Sequence, residues 1–139
     1  DDRPIETFFA LYEGADRASA FHSTVEIRAF LEGGHGDLIV ASIKGEPLAA
    51  VLVAYEGEAA YYMASISVNH SDIPASHWPL YCAILRARDK GKQRFDLGYL
   101  HVDEGMDEKL RGIARFKGGF TRDRRPYLWW NVLNDGAAE

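Results

Sequence analysis

RFDLGYLHVDEGMDEKLRGIARFKGGF, residues 94–120, sets a short apolar strand against a glycine stop and follows it with a helix that ends on a cation. Arg94-Phe95-Asp96-Leu97-Gly98 reads as a strand halting at a glycine, where the backbone can turn sharply or approach a ligand closely. A helical pattern follows from about Met106 to Phe116. Its end, Phe116-Lys117-Gly118-Gly119-Phe120, places a lysine in the last turn, where the helix dipole favours positive charge, and two glycines where the chain must leave the helix. That combination points to chemistry as well as packing.

The elements before this stretch are read from periodicity. Ile5, Phe8, Phe9 and Tyr12 recur at helical spacing up to Gly14, and Ser23 with Glu26 three residues on is a capping-box signature ahead of Ile27, Phe30 and Leu31. Gly33-Gly34-His35-Gly36 breaks the pattern. Three strand-like runs come next, Leu38 to Ile43, Leu48 to Tyr55 and Ala59 to Ser67, joined by turns short enough to make an antiparallel meander. Ser76 is the expected cap of a helix through Trp78, Tyr81, Ile84 and Leu85 to about Lys90, with Pro79 in the tolerant first turn and Gly91 as its stop. A last strand is expected from Tyr127 to Leu133. Helices and strands interspersed in this order predict an α/β (α+β) domain.

The strand and helix-end motifs together resemble the Fem (FemABX) family of peptidoglycan-bridge aminoacyltransferases, within the GNAT acyltransferase superfamily. Phe95-Asp96-Leu97-Gly98 matches that family's strand, and Gly112-Ile113 with Phe116-Lys117-Gly118-Gly119-Phe120 matches its second segment. Tyr99 stands where the family has a second glycine, and Thr121 where another follows the last phenylalanine. The resemblance implies a GNAT-like mixed, mostly antiparallel central sheet with helices on both faces. It also implies that 1–139 is a single GNAT-like domain, or one half of a two-domain Fem-type protein that would pair with a second such domain or a second copy.

The activity it implies is attack by an amine, such as one on a peptidoglycan precursor peptide, on the ester of an aminoacyl-tRNA. That donor is a co-substrate, so no bound cofactor is expected. Because the ester is already activated, alignment and stabilisation of the developing oxyanion are the work left for the protein. Lys117 is the expected catalytic cation, with Phe116, Phe120, Tyr99, His101, Arg115 and Asp96 as substrate-binding candidates. The alternative is that Lys117 only caps a helix end while the phenylalanines pack inside. Asp96 at a strand end also suits bonds to nearby backbone N–H groups.

Acetyl-CoA is the less favoured donor on the sequence. CoA-dependent members of the superfamily generally cradle pyrophosphate on a glycine-rich loop at a helix N-terminus. The corresponding segment here, residues 68–76, holds no glycine, loses an N–H at Pro74 and adds like charge at Asp72. Two further readings stay open: an acyl-CoA or acyl-carrier N-acyltransferase with a degenerate loop, and a non-catalytic GNAT-like domain that binds an anionic partner, for which exposed Trp129 and Trp130 would speak.

Composition narrows the classes further. A chain of 139 residues buries roughly two thirds of its unfolded surface without disulfides. Its single cysteine, Cys82, falls in an apolar helical run and reads as core, which fits a reducing, cytoplasmic setting. Membrane insertion is not expected, because no apolar run approaches the roughly 20 residues that a span requires. The acidic start has no cationic leader, and the first residue is not methionine, which points to processing or to a longer parent chain. His22, His35, His70, His77 and His101 lack metal-ligand spacing, so no metal site is expected; His70 and His77 could line a cleft.

The net charge of −5 hides an asymmetry: residues 1–85 carry four basic and twelve acidic side chains, and residues 86–125 twelve basic and seven acidic. That second stretch is either a solvated face or a phosphate-attracting surface for an anionic acyl donor.

Overall fold

The computed structural model describes residues 3–15, 21, 23–68, 74–100 and 105–126. The chain forms two compact units, Asp1–Gly98 and Tyr99–Glu139. The first holds α1 (Arg3–Gly14), α2 (Thr24–Glu32), β1 (Gly36–Ile43), β2 (Glu46–Glu56), β3 (Ala59–Ser67), α3 (His77–Asp89) and β4 (Arg94–Asp96); the second holds α4 (Glu108–Gly118). No described helix is long and apolar enough to cross a membrane. The expected strand from Tyr127 to Leu133 lies outside the described residues.

The four strands lie in the order β1-β2-β3-β4, the first two pairings antiparallel and the third parallel. Lys44 and Gly45 both take positive φ, 52° and 88°, and Ile43 pairs directly with Glu46, so the first hairpin closes on two residues in the left-handed region that its right-handed twist demands. β3 meets β4 through α3 because parallel neighbours need a crossover.

Helices cover both faces of this sheet. Leu38 packs into a cluster built from Ile5, Phe8, Leu11 and Tyr12 of α1, Ile27 of α2, and Ala50, Leu52 and Ile66 of the sheet. Its neighbour Asp37 bonds instead to Arg86 of α3. Successive strand residues point to opposite faces, so α1 and α2 cover one side and α3 the other. β2 is the fully covered centre: Ala50, Val51, Leu52 and Val53 are all at most 1% exposed, and Leu80, Ala83 and Ala87 of α3 are buried with them.

The Ser23–Glu26 capping box forms as expected: Ser23 Oγ accepts from Glu26 N at 3.3 Å and Glu26 Oε2 accepts from Ser23 N at 3.2 Å. Ser23→Ala should lower the unfolding free energy by about 1 kcal/mol, read as a lower urea midpoint at unchanged slope. An unmoved midpoint would mean that α2 does not depend on this cap.

Four expectations change. Ser76 occupies the N-cap position of α3 but makes no capping bond; its hydroxyl donates to Ser67 Oγ at 2.9 Å. Cys82, expected in the core, is half-buried: α3 turns Trp78 and Tyr81 outward, 66% and 46% exposed, and buries Pro79 and the smaller Leu80, Ala83 and Ala87. Close packing on the flat centre of the sheet favours small side chains, and the two rings stack on each other outside, centroids 5.9 Å apart. β4 ends at Asp96, before the glycine. Finally, α4 runs from Glu108 to Gly118 and not from Met106 to Phe116, because Asp107 supplies the N-cap, accepting from Leu110 N at 2.7 Å. The chain leaves the helix at the glycine pair as expected, with Gly118 its last residue and the C-cap Gly119 at a φ of −70°.

Candidate functional site

β3 and β4 pair at only three positions, Ala59 with Arg94, Ala60 with Phe95 and Tyr61 with Asp96. Beyond Tyr61, β3 continues through Tyr62–Ser67, still paired with β2 but, among the described residues, with no strand on its other edge. The parting has two local causes. Asp96 Oδ1 accepts from Gly98 N at 2.6 Å, an Asx turn that ends β4, and Gly98 takes φ 74°. On β3 the register with β2 jumps from Val53–Tyr62 to Leu52–Ala64, leaving Met63 as an extra, half-exposed residue. Such bulges bend a strand and re-aim its groups, and they gather beside active sites.

The opened edge is polar where the strand centre is apolar. The Tyr62 hydroxyl donates to Ser65 Oγ, the Tyr12 hydroxyl donates to the Ser65 carbonyl at 3.1 Å, and Ser67 Oγ accepts from Ser76. The sequence reading passed over Tyr62, Ser65 and Ser67 as site residues and took Ser76 only as a helix cap. The one signal for them was Ser65-Ile66-Ser67 at the close of an otherwise apolar run.

In the second unit, Lys117 in the last turn of α4 donates from Nζ to the Tyr99 carbonyl at 2.6 Å. Phe116 and Phe120 meet edge to face with centroids 5.4 Å apart. Tyr99 is 47% exposed. Lys117, Tyr99, Phe116 and Phe120 therefore belong to one small cluster at the helix end. Arg115 is exposed on α4 and lines a groove with Glu108, Arg111 and Gly112. Asp96 belongs to the first unit, one carboxylate oxygen held by its own turn. His101, His22, His70, Trp129 and Trp130 lie outside the described residues. His77 is the exposed first residue of α3. Among the described residues no three His, Cys, Asp or Glu side chains gather as metal ligands.

Part of the basic stretch is absorbed by structure. Asp37 Oδ2 accepts from Arg86 Nε at 2.8 Å and from the Tyr55 hydroxyl at 2.7 Å, with Lys90 Nζ at 3.9 Å. Lys90 and Lys92 each sit 5.3 Å from the centre of the Tyr55 ring, and Lys92 Nζ donates to the Gly57 carbonyl at 2.7 Å. These contacts fasten α3 to β1 and β2.

Burial, then the bond to Asp37, pushes the Tyr55 hydroxyl well above its ordinary pKa of 10.0. A proton held more tightly by the folded state stabilises fully below the unfolded pKa, and that stabilisation is lost as pH rises through the folded value. Wild-type protein should therefore lose stability from about pH 10 upward, and Tyr55→Phe should lack that part of the slope while being about 1 kcal/mol less stable at neutral pH. Parallel alkaline slopes for the two proteins would rule the bond out as a stabilising contact.

No protein-family model matches the chain, and no curated protein does. Solved structures similar to it include those of an aminoglycoside acetyltransferase from an uncultured soil metagenomic sample, in complex with sisomicin and, separately, with trehalose. Each shares 12% identity at a TM-score of 0.64, covering 95% of this chain and 90% of the other. The fold is that of a GNAT-like acetyltransferase. The mixed, mostly antiparallel sheet between helical layers that the resemblance implied is thus the one this chain adopts. At that identity the likeness carries the fold and leaves the Fem branch unsupported.

Proposed function

We propose that this chain is a GNAT-type N-acyltransferase domain that moves an acyl group from a thioester donor of the acyl-CoA class to an amine. The supporting observation is the backbone likeness to an acetyltransferase across nearly the whole chain. The bulged stretch of β3, which among the described residues has no strand on its outer edge, is consistent with it, since backbone groups of Tyr62–Ser67 left over from β2 and from Tyr12 suit an extended donor arm laid down as an added strand. This revises the weight that the glycine-free loop placed against acyl-CoA. In the reaction the amine nitrogen attacks the thioester carbonyl, the C–N bond forms, the C–S bond breaks, and the nitrogen's proton leaves for the thiolate or solvent. Lys117 is the cation assigned to the oxyanion that develops on that carbonyl.

A second reading keeps the same step with an aminoacyl-tRNA ester as donor. It is favoured by the Phe116–Phe120 segment and by the lack of glycine between Val68 and Ser76.

Acetyl-CoA and a charged tRNA should each be offered with a panel of amines, including an aminoglycoside and a peptidoglycan precursor peptide. Product is followed by mass spectrometry and thiol release. Thiol release that depends on an amine supports the first reading, and amide formation from charged tRNA alone replaces it with the second. If neither donor raises the melting temperature or reacts, both fall, because a ligand that binds only the native state must stabilise it.

A further inference from the structure

Gly112 sits in the middle of α4, exposed, where glycine weakens a helix relative to alanine. Nothing in the packing of the described residues asks for it. Its φ is not positive, and a Cβ built there would meet nothing within 4 Å. What the missing side chain does is form the floor of the groove lined by Glu108, Arg111, Gly112 and Arg115, one face of the helix at i, i+3, i+4 and i+7. A flexible pair of arginines would normally sweep this surface, but Arg111 is fixed: its Nε and Nη2 donate to the Met106 carbonyl at 3.0 and 2.7 Å. Guanidinium carries five N–H donors in a rigid fork, so three remain for something else. The Arg115 side chain, one turn further on, makes no hydrogen bond or ion pair among the described residues. Two guanidinium groups flanking a floor with no side chain suit a tetrahedral oxyanion, which arginine binds through paired N–H bonds better than lysine can.

We propose that this groove binds a phosphate group of the acyl donor. The inference rests on the acyltransferase reading and deepens it: it names, on α4 itself, a phosphate contact that does not depend on the glycine-free segment 68–76. Phosphate is the shared chemistry of CoA and of tRNA, and the groove recognises that group in either. Glu108 lies at the groove's end and opposes the anion, so it sets the affinity from below.

The test uses the whole chain and inorganic pyrophosphate, with the amide of Gly112 and the Nε of Arg115 followed by NMR, then CoA, pantetheine and unfractionated tRNA as further arms. Pyrophosphate and CoA should shift both signals and pantetheine, which lacks phosphate, should not; a response to tRNA without one to CoA would identify the donor as RNA. Arg115→Ala should weaken CoA or tRNA about ten- to a hundred-fold, and Glu108→Gln should strengthen it. Gly112→Ala is the decisive variant, because it should raise the melting temperature while weakening the anion, whereas a glycine without a ligand role would change the melting temperature alone. Wild-type signals that ignore pyrophosphate overturn the groove whatever acetyl-CoA does in turnover. Donor binding and turnover that survive Arg115→Ala and Gly112→Ala unchanged overturn it while leaving the acyltransferase reading intact.

Discussion

Gly36→Ala should destabilise the protein by about 3 kcal/mol or more, the upper range for forcing atoms into a packed site. Gly36 opens β1 opposite Ala54, and a Cβ there would lie 2.0 Å from the Val53 carbonyl oxygen and 2.3 Å from Cε1 of Phe30. A ring edge can swing aside, but a carbonyl in the centre of the sheet cannot move without breaking the β1–β2 ladder. Phe30 belongs to the shell of the main core and stacks near Phe21, so its displacement loosens α2 as well. Gly34→Ala supplies the contrast. It has open space around it and φ of 71°, so it should cost only about 1 kcal/mol, from left-handed backbone strain alone. Urea midpoints for the two variants decide the matter. If Gly36→Ala is no worse than Gly34→Ala, β1 does not pass under Val53 as described and the sheet that frames the β3 edge is built differently.

The same residues explain why some of this was readable and some was not. The Ser23–Glu26 box and the Asx turn at Asp96 are settled by groups within a few positions of one another, whereas the turn read over Lys44–Pro47 closes on Lys44 and Gly45 alone because Glu46 and Pro47 pair with β1. Cys82 was read as core because it falls in an apolar helical run, and a run does not say which face of the helix meets the sheet. Trp78 and Tyr81 are larger than Ala83 and Ala87, but only the small residues fit against a sheet whose own Val51 and Val53 already fill the layer. The bulge at Met63 leaves no mark in the run Tyr61-Tyr62-Met63-Ala64, because it is a statement about register against β2. The fate of the basic stretch was hidden in the same way. Arg86 and Lys90 look like an anion surface until Asp37, far away in sequence, is found beneath them. Function follows this division: the helix-end motif was visible, whereas the polar edge of β3 exists only once two strands part.

Lys117→Ala should reduce acyl transfer by about a hundred- to a thousand-fold, the effect of removing one preorganised donor to a developing oxyanion. Stability should change by no more than about 1 kcal/mol, since the residue is partly exposed at a helix end. The structure makes this more than a statement about charge. An ammonium on a four-carbon stem ordinarily samples many positions, but here one of its three N–H donors is given to the Tyr99 carbonyl at 2.6 Å. That bond holds the charge in place in advance, which in the proposed role lessens the reorganisation needed as negative charge builds on the reacting oxygen. Lys117→Arg should therefore recover little of the lost rate despite keeping the charge, because a planar fork cannot reproduce a point cation anchored through one N–H. The loss should fall mainly on kcat and spare KM, as expected for a contact realised in the transition state. A Lys117→Ala protein that turns over normally but melts several degrees lower would give the lysine a purely structural task, fastening Tyr99 to the end of α4, and would move the search for the oxyanion donor to the open backbone of β3.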